Sequence, residues 1–151
     1  VILFATHGII SGYKDMREPA LILTPPDNII NNDDGILKAS EIISLDLNAD
    51  IVILSACDTS SGINENGIEF SGLAEAFLLA GSKSVLVSQW PVETFSAEYI
   101  TTRMMEELIK NPTFSKADAL KYSMNILFNN KDNIIYSHPA FWAPFLLVSS
   151  N

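Results

Sequence analysis

The chain has 151 residues, 48% of them apolar and 18% charged, and carries a net charge of −9 at pH 7. That length suits one domain with a real core, and no apolar run approaches the ~18 residues that a bilayer span needs. The acidic balance argues against nucleic acid or an anionic membrane as a main partner, and the single cysteine excludes an internal disulfide and favours a reducing, cytoplasmic setting.

Taken in order, Val1–Thr6 is a continuous apolar run ending at His7-Gly8 and predicts a strand buried on both faces. These first residues lack an initiator Met and a basic leader, and read as a piece of something longer. Ala20–Thr24 predicts a second strand, broken by Pro25-Pro26-Asp27. A polar loop over Asn28–Gly35 precedes a short strand at Ile36–Ala39, and Ser40 is placed to cap a helical turn through Glu41–Leu45. Ile51–Ala56 predicts a central strand, and the small and polar residues of Cys57–Glu69 a long loop. Gly72–Ala80 reads as an apolar helix closed by Gly81, and Lys83–Gln89 as a third central strand stopped by Trp90-Pro91.

The apolar spacing over Glu93–Lys110 is near 3.6, and Ser115 with Asp118 forms a capping-box pattern opening a helix over Lys116–Asn129. Phe145–Ser149 predicts the last strand. Strands alternating with helices imply a largely parallel sheet covered on both faces.

Two of these strands end alike. VILFATH (1–7) and IVILSAC (51–57) each run four apolar residues, two small ones and then a reactive side chain. Parallel sheets place their working crevice beyond the strands' carboxyl ends, so neighbouring strands would deliver His7 and Cys57 to one edge. A thiol with an imidazole is the minimal set for nucleophilic thiol catalysis, because the thiolate attacks and the imidazole manages its proton. Gly8 permits close backbone approach, and its N–H with that of Cys57 would suit an oxyanion. The opposing reading is a buried structural thiol, since free Cys is among the most buried residue types. Both readings of Cys57 stand on the residues alone.

Other candidates divide the same way. Asp58 is either an acidic wall favouring a basic substrate side chain or a turn cap. Gln89 and Trp90, at the mouth of the third strand, either line a substrate groove or, for Trp90, join the core. His138 reads as structural. Asn32-x-Asp34-Gly35-x5-Glu41 fits a calcium loop in part, but Ile30 occupies the first ligand position and no helix precedes it. One Cys and two distant His give no zinc pattern, and neither a nucleotide-binding glycine motif nor a serine-hydrolase elbow follows any strand, so no metal or organic cofactor is expected.

The blocks FATHG (4–8), DGILKASEI (34–42), ADIVILSACDTSSG (49–62), GLAEAFLLAGSKSVLVSQWPV (72–92), KADAL (116–120) and HPAFWAPFLLVS (138–149) occur in one order along nearly the whole chain. That succession resembles the CHAT domain, a caspase-like peptidase family often fused to tetratricopeptide repeats. The Ala-Cys core of S-A-C-D-T also agrees with the caspase signature Q-A-C-[RQG]-G, although its neighbours differ. The resemblance implies an α/β, caspase–hemoglobinase-like three-layer sandwich with a mostly parallel sheet. It implies that residues 1–151 are the C-terminal catalytic portion, since a full CHAT domain has further elements before the histidine strand. His7 and Cys57 match the family's dyad, and the implied activity is hydrolysis of protein or peptide substrates without a cofactor. Two other hypotheses remain: a catalytically silent caspase-like interaction module, and a flavodoxin-like binding domain whose Cys and His are incidental.

Overall fold

The computed structural model describes residues 1–9, 16–26, 34–55 and 70–150. Its main sheet has four strands in the order β1 (Ile2–Phe4), β5 (Val52–Leu54), β6 (Ser84–Ser88) and β7 (Phe145–Ser149). β1, β5 and β6 are parallel, and β7 returns antiparallel along β6. A second sheet of three antiparallel strands joins β2 (His7–Ile9), β3 (Ala20–Ile22) and β4 (Ile36–Lys38).

Helices cover both faces of the main sheet. Alternation along β5 sends Val52 and Leu54 to a core shared with α1 (Ala39–Ile43) and α2 (Phe70–Leu79), where Ile42, Leu73 and Phe77 are buried. Ile51 and Ile53 point the other way, toward Ile100 and Met104 of α3 (Thr94–Lys110) and Leu120 and Leu127 of α4 (Lys116–Phe128). The continuous apolar run at 51–54 is therefore that of a central parallel strand, buried on both faces. The mixed α/β, mostly parallel, helix-flanked arrangement is the one the sequence predicts.

Local chemistry sets the helix ends. Glu93 accepts the N–H groups of Phe95 and Ser96 at 2.9 and 3.0 Å and opens α3. The predicted capping box opens α4: Ser115 Oγ accepts the Asp118 N–H at 3.1 Å, and the Asp118 carboxylate takes the Ser115 N–H at 3.3 Å. α2 ends at the predicted Gly81, whose φ is +102°, with Gly81 N–H bonded to the Leu78 carbonyl and Ser82 N–H to that of Phe77. A Cβ at Gly81 would stand 2.3 Å from the Leu47 carbonyl oxygen, so no larger residue fits.

Two expectations need correction. The run Val1–Thr6 is not one strand buried on both faces. β1 stops at Phe4, and His7 begins β2 in the other sheet after a break at Ala5-Thr6. Phe4 packs on Phe77, with ring centroids 5.3 Å apart, but Leu3 on the opposite face is 57% exposed, because α3 and α4 pack beneath β5 and β6 rather than beneath β1. α1 begins one residue before Ser40. The Glu41 carboxylate reaches back to the Lys38 N–H at 2.8 Å, while Ser40 donates its N–H and hydroxyl to Glu18 at 2.8 and 2.9 Å. The segment 130–144 adds two elements that periodicity did not show: a 3₁₀ turn at Ile134–Ser137 and α5 (Pro139–Trp142). The predicted loop Cys57–Glu69 lies outside the described residues.

Candidate functional site

The β1–β5 register pairs Ile2 with Val52, Leu3 with Ile53 and Phe4 with Leu54, and the Ser55 N–H extends the ladder by donating to the Phe4 carbonyl at 2.9 Å. Both chains thus reach the carboxyl edge of the sheet side by side. There the first chain changes partner. Thr6 Oγ1 donates to the Ile22 carbonyl, and His7 and Gly8 pair antiparallel with Ile22 and Leu21. The corner leaves the His7 side chain exposed while Gly8 is buried directly after it.

A groove of about 480 Å³ opens at this edge. His7, Thr6 and Ala5 form one wall with Ser55, and the first turns of α3, from Thr94 to Thr102, form the other. Glu93 caps the helix at the groove's end. The backbone N–H of Phe95, followed by that of Ser96, holds its carboxyl below the ordinary range. Exposure, size and a histidine on the wall make this groove the candidate site.

Of the site residues read from sequence, His7 and Gly8 stand at this corner. Cys57 and Asp58 lie outside the described residues, as does Ala56. Gln89 and Trp90 sit at the end of β6 beside α5. Gln89 N–H donates to the Pro144 carbonyl at 2.9 Å, and Trp90 Nε1 to that of Ala140 at 3.2 Å, leaving the indole 39% exposed. His138 caps α5 by accepting the Ala140 N–H on Nδ1 at 3.2 Å, a structural task. In the partial calcium-loop pattern, Asp34 accepts the Ile36 N–H and pairs with Lys38 at 3.1 Å, while Glu41 caps α1. Among the described residues no group of three His, Cys, Asp or Glu is placed to hold a metal ion.

Sequence reasoning missed the contribution of α3. Thr94, Ala97, Glu98, Thr101 and Thr102 line the groove, yet they read only as the small and polar positions of an amphipathic helix. Nothing in their spacing marks them.

A family model described as the CHAT domain matches residues 1–150. The human protein named Tetratricopeptide repeat protein 28 is 30% identical over 117 residues, which cover 77% of this chain and 4% of that protein. Its mouse counterpart is 28% identical over the same length and shares. The chain thus spans a small part of the length of these curated relatives.

Proposed function

Because the chain belongs to the CHAT domain family, a caspase-like family, we propose that it is a cysteine endopeptidase working through His7 and Cys57. The observation that carries this reading is the parallel β1–β5 register. It brings His7 and Ser55 to the walls of one groove. Cys57 follows Ser55 by two residues, and two residues of extended chain reach at most about 7 Å. That short tether supports pairing the thiol with His7, which lines the same wall of the groove as Ser55.

In this mechanism the Cys57 sulfur attacks the scissile carbonyl carbon as the thiol proton passes to His7. The backbone N–H groups of Gly8 and Cys57 hold the oxyanion, where one such donor lowers the barrier by about 3 kcal/mol. His7 then gives its proton to the leaving amine. Water, deprotonated by the same imidazole, hydrolyses the thioester and restores the thiol. In this reading Asp58 would favour a basic side chain, while Gln89 and Trp90, bonded to Pro144 and Ala140, would act only on substrate reaching beyond the residues that line the groove. In a full-length protein, tetratricopeptide repeats would present partners or substrates to this domain, as the relatives' name suggests.

The test is cleavage of a randomised peptide library, compared with Cys57→Ala and His7→Ala. The proposal expects both variants to lose cleavage while keeping the fold. Cleavage that persists in Cys57→Ala, or is absent from the unsubstituted chain, contradicts it. The latter result, with a protein partner captured equally by Cys57→Ala, would instead favour the interaction-module reading that the relatives' repeat-protein name supports.

A further inference from the structure

Resting on the peptidase reading of the same groove, we infer that Glu98 selects substrates by holding an arginine or lysine side chain of an extended peptide beside His7. Among the described residues that line the groove, only His7 and Glu98 carry titratable side chains, so Glu98 alone gives the wall negative charge. Its carboxylate is exposed and makes no ion pair or side-chain hydrogen bond among the described residues. The nearest candidate partner on the helix is committed elsewhere: Arg103 pairs with Glu106 at 3.0 Å and lies over the Tyr99 ring, 5.5 Å from its centroid. Thr101 is likewise occupied, its hydroxyl donating to the Ala97 carbonyl at 2.7 Å.

The shape selects a chain rather than a small cation. Glu98 and Thr102 are shared with a second hollow of about 240 Å³, which continues along α3 past Tyr99. Together the two hollows run along the helix from the histidine corner and suit an extended peptide. Glu98 sits where they meet, the one acidic side chain among the described residues of the first hollow, while the charges of the second, Arg103 and Glu106, pair with each other. Charge complementarity then favours a cationic side chain there, and an acidic one would meet repulsion.

The test measures binding on the Cys57→Ala chain, so it does not depend on turnover. Fluorescein-labelled octapeptide pools of neutral residues carry either arginine or its neutral isostere citrulline at one central position, and anisotropy gives each affinity. Arginine is expected to bind about fivefold more tightly, the upper end for an ion pair reached by solvent. Adding Glu98→Gln should bring the ratio to near one. Glu75→Gln, which removes the same charge from an exposed site on α2 across the sheet, should leave the ratio intact. A ratio near one in the parent, no measurable binding of either pool, or a preference that survives Glu98→Gln and disappears with Asp58→Asn would overturn the inference. Preference without cleavage by the unsubstituted chain leaves Glu98 standing and sinks the peptidase proposal. Cleavage indifferent to arginine does the reverse.

Discussion

β1 and β5 have nearly interchangeable sequences, ILF and VIL, and pair residue for residue, yet they live in different environments. β5 lies between two strands with helices on both faces, and all three of its residues are buried. Among the described strands β1 is at an edge, covered by the α1–α2 layer on one face only, with Leu3 left 57% exposed. The apolar content of a strand states what it can bury, while its place in the sheet decides what it does bury. The exposed strand is also the one that ends at the histidine corner. Among the described strands β1 has a neighbour on one side only, so the chain can leave the sheet at Ala5-Thr6 and bring His7 to the groove wall.

The sharpest way to break this contrast is paired truncation. Leu54→Ala should cost about 3 kcal/mol, because it removes a large side chain from a close-packed core. Leu3→Ala should cost under about 1 kcal/mol, since its side chain already meets water. Urea unfolding measures both, and similar losses would show that the two strands are equally buried.

A smaller effect tests the corner. Thr6→Val keeps the shape but removes the hydroxyl that donates to the Ile22 carbonyl, and should cost about 1 kcal/mol. No change in urea midpoint would mean that the second sheet alone holds the turn.

The other wall of the groove gives a pH test. The folded state holds the Glu93 carboxyl below its ordinary 4.5 through the N–H groups at the start of α3. A carboxyl lowered on folding contributes stability that is complete above its unfolded value and fades as pH falls through 4.5 toward the folded value. Glu93→Gln should therefore be less stable than the parent at pH 7, by about 1 kcal/mol as for other caps, and the gap should narrow toward pH 3. A gap that stays constant over that range would remove the carboxylate's charge from the account.

Much of the architecture was legible because its signals are local. The Ser115 capping box, the glycine that ends α2 and the apolar run of β5 each predict their own element. The corner after Phe4 was not legible. Ala5-Thr6 carries neither glycine nor proline, and the break follows from Thr6 and His7 finding partners on β3, some sixteen residues away in sequence. The same limit applies to Glu98. A glutamate on the polar side of a helix looks like any solvated residue until the fold sets it on a groove wall with His7 opposite. His7 is singled out by analogy between two strand ends, whereas the structure sets it at the start of β2, after the break, on the wall of the groove.

The central claim is that His7 and Cys57 work as a pair, and the most direct measurement is the rate of Cys57 alkylation by iodoacetamide against pH. It is followed by mass spectrometry in the parent and in His7→Ala. A thiol served by an imidazole reacts well below the ordinary thiol range, near pH 8.5, so the account predicts fast labelling at neutral pH that is lost in His7→Ala. Labelling that follows the profile of an unassisted thiol in both proteins would contradict it.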